Sequence, residues 1–102
     1  MASFTRGTTP TLRFTLPFPT SSLESVYITF SCLGKEVFTK TSRDVTMSEN
    51  VITLVLSQTD TLGFISKTVN IQVRAITTDG TAIASKIITA DVGMILKSGE
   101  IE

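Results

Sequence analysis

The chain has 102 residues, of which 41% are hydrophobic and 18% charged, and nine Lys plus Arg balance nine Asp plus Glu. That is the size of one compact domain, too apolar for disorder and too evenly charged to carry the electrostatic footprint of a nucleic-acid or anionic-membrane binder. His and Trp are absent and Cys32 is the one cysteine. The chain therefore lacks the usual general base near neutral pH, the commonest metal ligand and any internal disulfide.

Ser and Thr make up more than a quarter of the residues, and with Val and Ile they set a β-branched texture. The first ten residues, Met1 to Pro10, lack the basic region and apolar core of a secretory signal, so synthesis in the cytosol is expected. They read as a flexible arm with Phe4 and Arg6 as candidate anchors. No apolar stretch approaches the ~20 residues of a membrane helix.

Leu12, Phe14 and Leu16 alternate with Thr11, Arg13 and Thr15, which predicts a strand ended by Pro17 and Pro19. Phe18, between the prolines, is a candidate contact; the bland alternative for Phe18 and Phe4 is packing at the edge of the core. A second strand over Ser25 to Leu33 and a third over Glu36 to Lys40 flank Gly34-Lys35, read as a type II′ hairpin. That two-residue loop sets Cys32 opposite Val37 and Phe30 opposite Thr39.

Turn clusters bracket a short strand, Val45 to Met47, before the nearly continuous apolar run Val51 to Leu56, expected to be covered on both faces or central in its sheet. Ser57 and Asp60 have capping-box spacing, which predicts one helical turn over 58–62 with Gly63 as a left-handed stop. Thr68 to Ile76 and Ile83 to Val92 read as the longest strands, joined by a turn containing Asp79-Gly80. Residues 97–102 read as a frayed tail.

Six to seven antiparallel strands in a single domain predict an all-β, immunoglobulin-like β-sandwich, with a small β-barrel as the alternative. Gly34-Lys35 lacks the partner glycines and helix of a phosphate loop, and Asp44 with Glu49 lacks calcium-loop spacing. Cys32 alternates with core positions and has no His to activate it, and no Ser lies in a nucleophile elbow. The expectation is a non-enzyme without cofactor or metal, binding neither nucleic acid nor membrane.

The segments Arg6-Gly7-Thr8-Thr9-Pro10, Thr15-Leu16-Pro17-Phe18, Gly34-Lys35-Glu36-Val37 and Leu56-Ser57-Gln58-Thr59-Asp60-Thr61-Leu62, with the long final hairpin, carry a resemblance. The chain resembles small proteins encoded in phages and prophages of Gram-positive bacteria. Its Arg-Gly-Thr-Thr opening is also similar to that of the immunoglobulin-like N-terminal domain of siphophage baseplate upper proteins, whose long C-terminal extension it lacks. The resemblance implies a tail- or baseplate-associated virion building block, assembled in the host cytoplasm from copies of itself or with other phage proteins. Strand edges, the N-terminal arm and the loops at the sandwich ends would make the contacts, with Phe4, Arg6, Phe18 and Asp79 as candidate residues. A ligand- or carbohydrate-binding accessory module is the alternative.

Overall fold

The computed structural model describes residues 3–102. Nine strands are found among them: β1 (Ser3–Thr5), β2 (Thr11–Thr15), β3 (Leu23–Cys32), β4 (Lys35–Thr41), β5 (Val45–Ser48), β6 (Val51–Val55), β7 (Thr68–Thr77), β8 (Ala82–Ala84) and β9 (Ile88–Gly93). One helical turn, α1 (Gln58–Leu62), lies between β6 and β7. The larger sheet runs β1-β9-β7-β3-β4 with β8 also on β7, and the smaller runs β2-β6-β5. The expected all-β sandwich forms, and the barrel alternative does not, because β2 and β5 end the smaller sheet instead of closing it onto the larger one.

Alternation builds the core. Val26, Ile28 and Phe30 of β3, Val69 and Ile71 of β7, and Ile52 and Leu54 of β6 are all buried, while their strand neighbours turn to solvent. Phe64, just past α1, closes one end; its ring lies 5.9 Å from Phe4, 5.8 Å from Phe30 and 5.8 Å from Phe38, centroid to centroid. The run Val51–Val55 is central in its sheet and is covered on one face only, since Val55 is exposed.

Two departures raise the strand count above the expected six to seven. Residues 3–5, expected in a flexible arm, form β1 and pair in parallel with Asp91 to Gly93 of β9, the one parallel pair among the described residues. Met1 and Ala2, the start of that arm, lie outside the described residues. The expected strand Ile83 to Val92 is broken into β8 and β9. At the break, the Ser85 hydroxyl, not a backbone carbonyl, accepts the Val73 N–H at 3.0 Å, while Ser85 N–H donates to Val73 O at 2.8 Å. A serine that bonds the ladder through its side chain lets the chain leave the strand without stranding a buried donor.

The β3–β4 loop is one residue earlier than expected. Leu33 and Gly34 both have positive φ, 54° and 77°, as in a type I′ turn, and Cys32 pairs with Lys35. A bulge beside Phe30 and Ser31 then restores the core face, so Phe30 lies opposite Phe38, not Thr39, with ring centroids 4.7 Å apart. Capping at α1 follows the sequence spacing: Asp60 N–H donates to Ser57 Oγ at 3.1 Å and Ser57 N–H to Asp60 Oδ2 at 2.9 Å. Gly63 is right-handed, with φ −74°, so it is no left-handed stop. Space explains its glycine, because a Cβ there would stand 3.0 Å from Val37 Cγ1.

Candidate functional site

The sandwich is open along one seam. β2 is an edge of the smaller sheet and β8 an edge of the larger, and between them lies an apolar cleft of about 500 Å³. Phe14, Leu16 and Phe18 line it from the β2 side, and Val73, Ala75 and Ile83 from the β7–β8 side. These same side chains border the core, so the cleft is the sandwich interior left uncovered where a further strand would fit.

Both borders offer free backbone. Leu56 N–H donates to Pro10 O at 3.0 Å and Leu16 N–H to Asn50 O at 2.8 Å, which turns the even-numbered residues of β2 toward β6. By antiparallel alternation the N–H and C=O of Thr11, Arg13 and Thr15 point the other way, where β2 has no strand neighbour. On β8, Thr77 N–H donates to Thr81 O at 2.9 Å and Ser85 N–H to Val73 O at 2.8 Å, so Ala82 and Ala84 face outward.

Electrostatically the cleft is nearly blank. Arg13 is the only charged residue among the described lining residues, and it is exposed with no ion pair or side-chain hydrogen bond found for it. Ser85 and Thr15 add hydroxyls at the rim. Among the described residues no group of three or more His, Cys, Asp or Glu could hold a metal ion. Cys32 is buried, with Sγ 3.6 Å from Thr68 O.

Of the four residues singled out from sequence, one reaches the cleft: Phe18 lines it, half-buried against the core. Phe4 is 7% exposed and packs with its ring tilted against Phe64, so the expectation of an exposed contact fails and core packing explains the residue. Arg6 folds back on the chain, with Nη2 donating to Leu62 O at 2.9 Å. Asp79 is exposed in the β7–β8 turn, where it accepts from the Thr77 hydroxyl and from Thr81 N–H at 3.1 Å. Those bonds, the Thr77 hydroxyl foremost, hold its carboxyl below the ordinary value. Phe18 and Asp79 therefore sit in different places and form no joint site.

Sequence reasoning passed over Arg13, Ile83 and Ala84. The signal for the β2 border was present: a charged residue in mid-strand and two prolines just after it are the usual marks of a sheet edge. For β8 the signal was fainter, an alternation interrupted at Ser85-Lys86 and Ile87-Ile88, and its edge is free because β1 pairs only with Asp91 to Gly93. A second surface is the outer face of β3 and β7, where Tyr27 lies opposite Arg74 and Thr29 opposite Gln72. Among the described residues no helix is long and apolar enough to cross a membrane. No protein-family model matches the chain, and no curated protein matches it in sequence.

Proposed function

We propose that the chain is a non-enzymatic building block of a phage virion, tail- or baseplate-associated, which acts by taking a strand of a neighbouring subunit into the β2–β8 cleft. The virion setting rests on the sequence resemblance. The docking role rests on one observation: a cleft of about 500 Å³ with apolar walls and two unpaired strand edges. Its volume alone would also suit a small molecule. Unpaired main-chain donors and acceptors on both borders favour an extended peptide, which satisfies them while alternate side chains fill the apolar space. A free edge beside exposed core is a hazard for a chain that stays alone and an asset for one that is assembled.

The alternative, carbohydrate binding, draws on Tyr27, which is 48% exposed on the outer face between Arg74 and Thr41, with Thr29 and Gln72 beside it. Sugar recognition of this kind would be abolished by Tyr27→Ala and untouched by changes in the cleft. The test of the docking reading is quantitative mass spectrometry of purified particles carrying a photoreactive residue at Ala84. The reading expects the chain at a fixed copy number and cross-linked to a structural subunit. Absence from the particles, or presence with no adduct at Ala84, would overturn it.

A further inference from the structure

We infer that the strand taken into the cleft is the 94–102 segment of a second copy, so that copies join head to tail; this rests on the docking reading above. The cleft follows the seam from Phe14 toward Leu16 and Phe18, away from the Thr11 end of β2. The 94–102 segment lies at the other end, where Gln58 of α1 bonds the backbone of Ile101 through both amide atoms, at 3.0 and 2.8 Å. Held there, the segment stays away from its own cleft; to enter a neighbour's, Gln58 releases Ile101, whose N–H and C=O then bond a cleft edge instead.

That segment is built to be covered. Met94, Leu96 and Ile101 are 58%, 107% and 62% exposed, three bare aliphatic side chains within nine residues. Gly99 has φ +81°, the conformation at which an extended chain gains a residue in a bulge. With that one-residue slip, Leu96 and Ile101 fall on the same side of a strand, which can then face the cleft.

Charge selects this pairing over the symmetric one. Two β2 strands meeting antiparallel edge to edge would centre Arg13 on its own copy, and like charges directly opposite are destabilising. Glu100 and Glu102 flank Ile101 in sequence. With Ile101 turned to the cleft beside Phe14, the two carboxylates fall on the outer side, the side Arg13 occupies on β2. The lone cation of the cleft thus meets the only pair of carboxylates that flanks an exposed aliphatic residue in the segment. Such an interface is heterologous and extends into rings or filaments.

The test uses the full chain in light scattering after size exclusion over a wide concentration range. Wild type is expected to associate beyond a dimer. Arg13→Glu, and separately the double variant Leu96→Asp with Ile101→Asp, change exposed side chains and are expected to keep the fold while weakening association at least about tenfold. Mixing the two variants restores a one-to-one dimer and nothing larger, because one supplies an intact segment and the other an intact cleft. Wild type that stays monomeric at every concentration, association indifferent to either variant, or a mixture that fails to pair would each overturn the inference. If cross-linking at Ala84 still captures a different structural subunit, the docking reading survives and only the identity of the strand is wrong; if neither is seen, both fall.

Discussion

Leu33 occupies the left-handed region, φ 54°, as the first central residue of the β3–β4 loop, with Gly34 at φ 77° after it. A left-handed placement costs an L-residue with a Cβ roughly 1–2 kcal/mol, and Asn bears it best because its short side chain bonds locally. Leu33 is 74% exposed, so only about a quarter of its side chain is covered. Full burial of a leucine is worth about 2 kcal/mol, so losing that quarter costs about 0.5 kcal/mol. Leu33→Asn is therefore expected to stabilise the protein by about 0.5–1 kcal/mol, raising Tm by roughly 2–6 °C at this chain length. Thermal and urea melts followed by circular dichroism read both quantities. If the loop were instead Gly34-Lys35, residue 33 would be a strand position, and asparagine there would lower stability. An unchanged or reduced Tm would refute the loop assignment and with it the bulge that brings Phe38 over Phe30.

Phe64→Ala removes a fully buried ring that touches three others, and should cost about 3–5 kcal/mol, read as a fall in the urea midpoint. Asp60 is opposed by burial, but the Ser57 N–H, the Lys40 ammonium at 3.1 Å and the Ser57 hydroxyl outweigh that and hold its carboxyl below the ordinary 3.8. A lowered carboxyl stabilises above its unfolded value and loses that contribution as pH falls through its folded value. The urea midpoint should therefore drop below about pH 3.8, and Asp60→Asn should flatten that drop while lowering stability near neutrality. Ser57→Ala deletes the other half of the capping box and should cost about 1 kcal/mol in the same assay. Cys32 is 4% exposed, so an aromatic disulfide reagent should label it only at the rate of unfolding, and rapid labelling of the native protein would contradict its burial.

What was legible in the sequence is what neighbouring residues decide. Alternation placed the strands around Leu12, Val26, Ile52 and Val69, and Ser57 with Asp60 marked α1 to the residue, because capping is a three-residue geometry. Where distant partners decide, the reading slipped. Phe4 looks free in a polar segment until β1 pairs with β9, some 88 residues along. The run Ile83 to Val92 reads as one strand, yet Ser85-Lys86 and Ile87-Ile88 interrupt its alternation, and there the Ser85 hydroxyl bonds Val73 and the ladder breaks. The loop at Leu33 was shifted because glycine at the first central position suits one turn type, while glycine at the second, after a strained leucine, suits the other. The cleft was missed for a like reason. Its β2 border carries edge signals in Arg13, Pro17 and Pro19, but its other border exists because β1 pairs only with Asp91 to Gly93 of β9 and leaves β8 without an outer neighbour.

Hydrogen exchange resolved by residue, on the chain alone and in its assembled state, tests most directly the claim that the β2–β8 cleft is where this protein is joined to others. The outward amides of Arg13, Thr15 and Ala84 are expected to exchange fast in the free chain and to be strongly protected after assembly. Protection gained instead along β4 or β5, with Arg13, Thr15 and Ala84 unchanged, would contradict it.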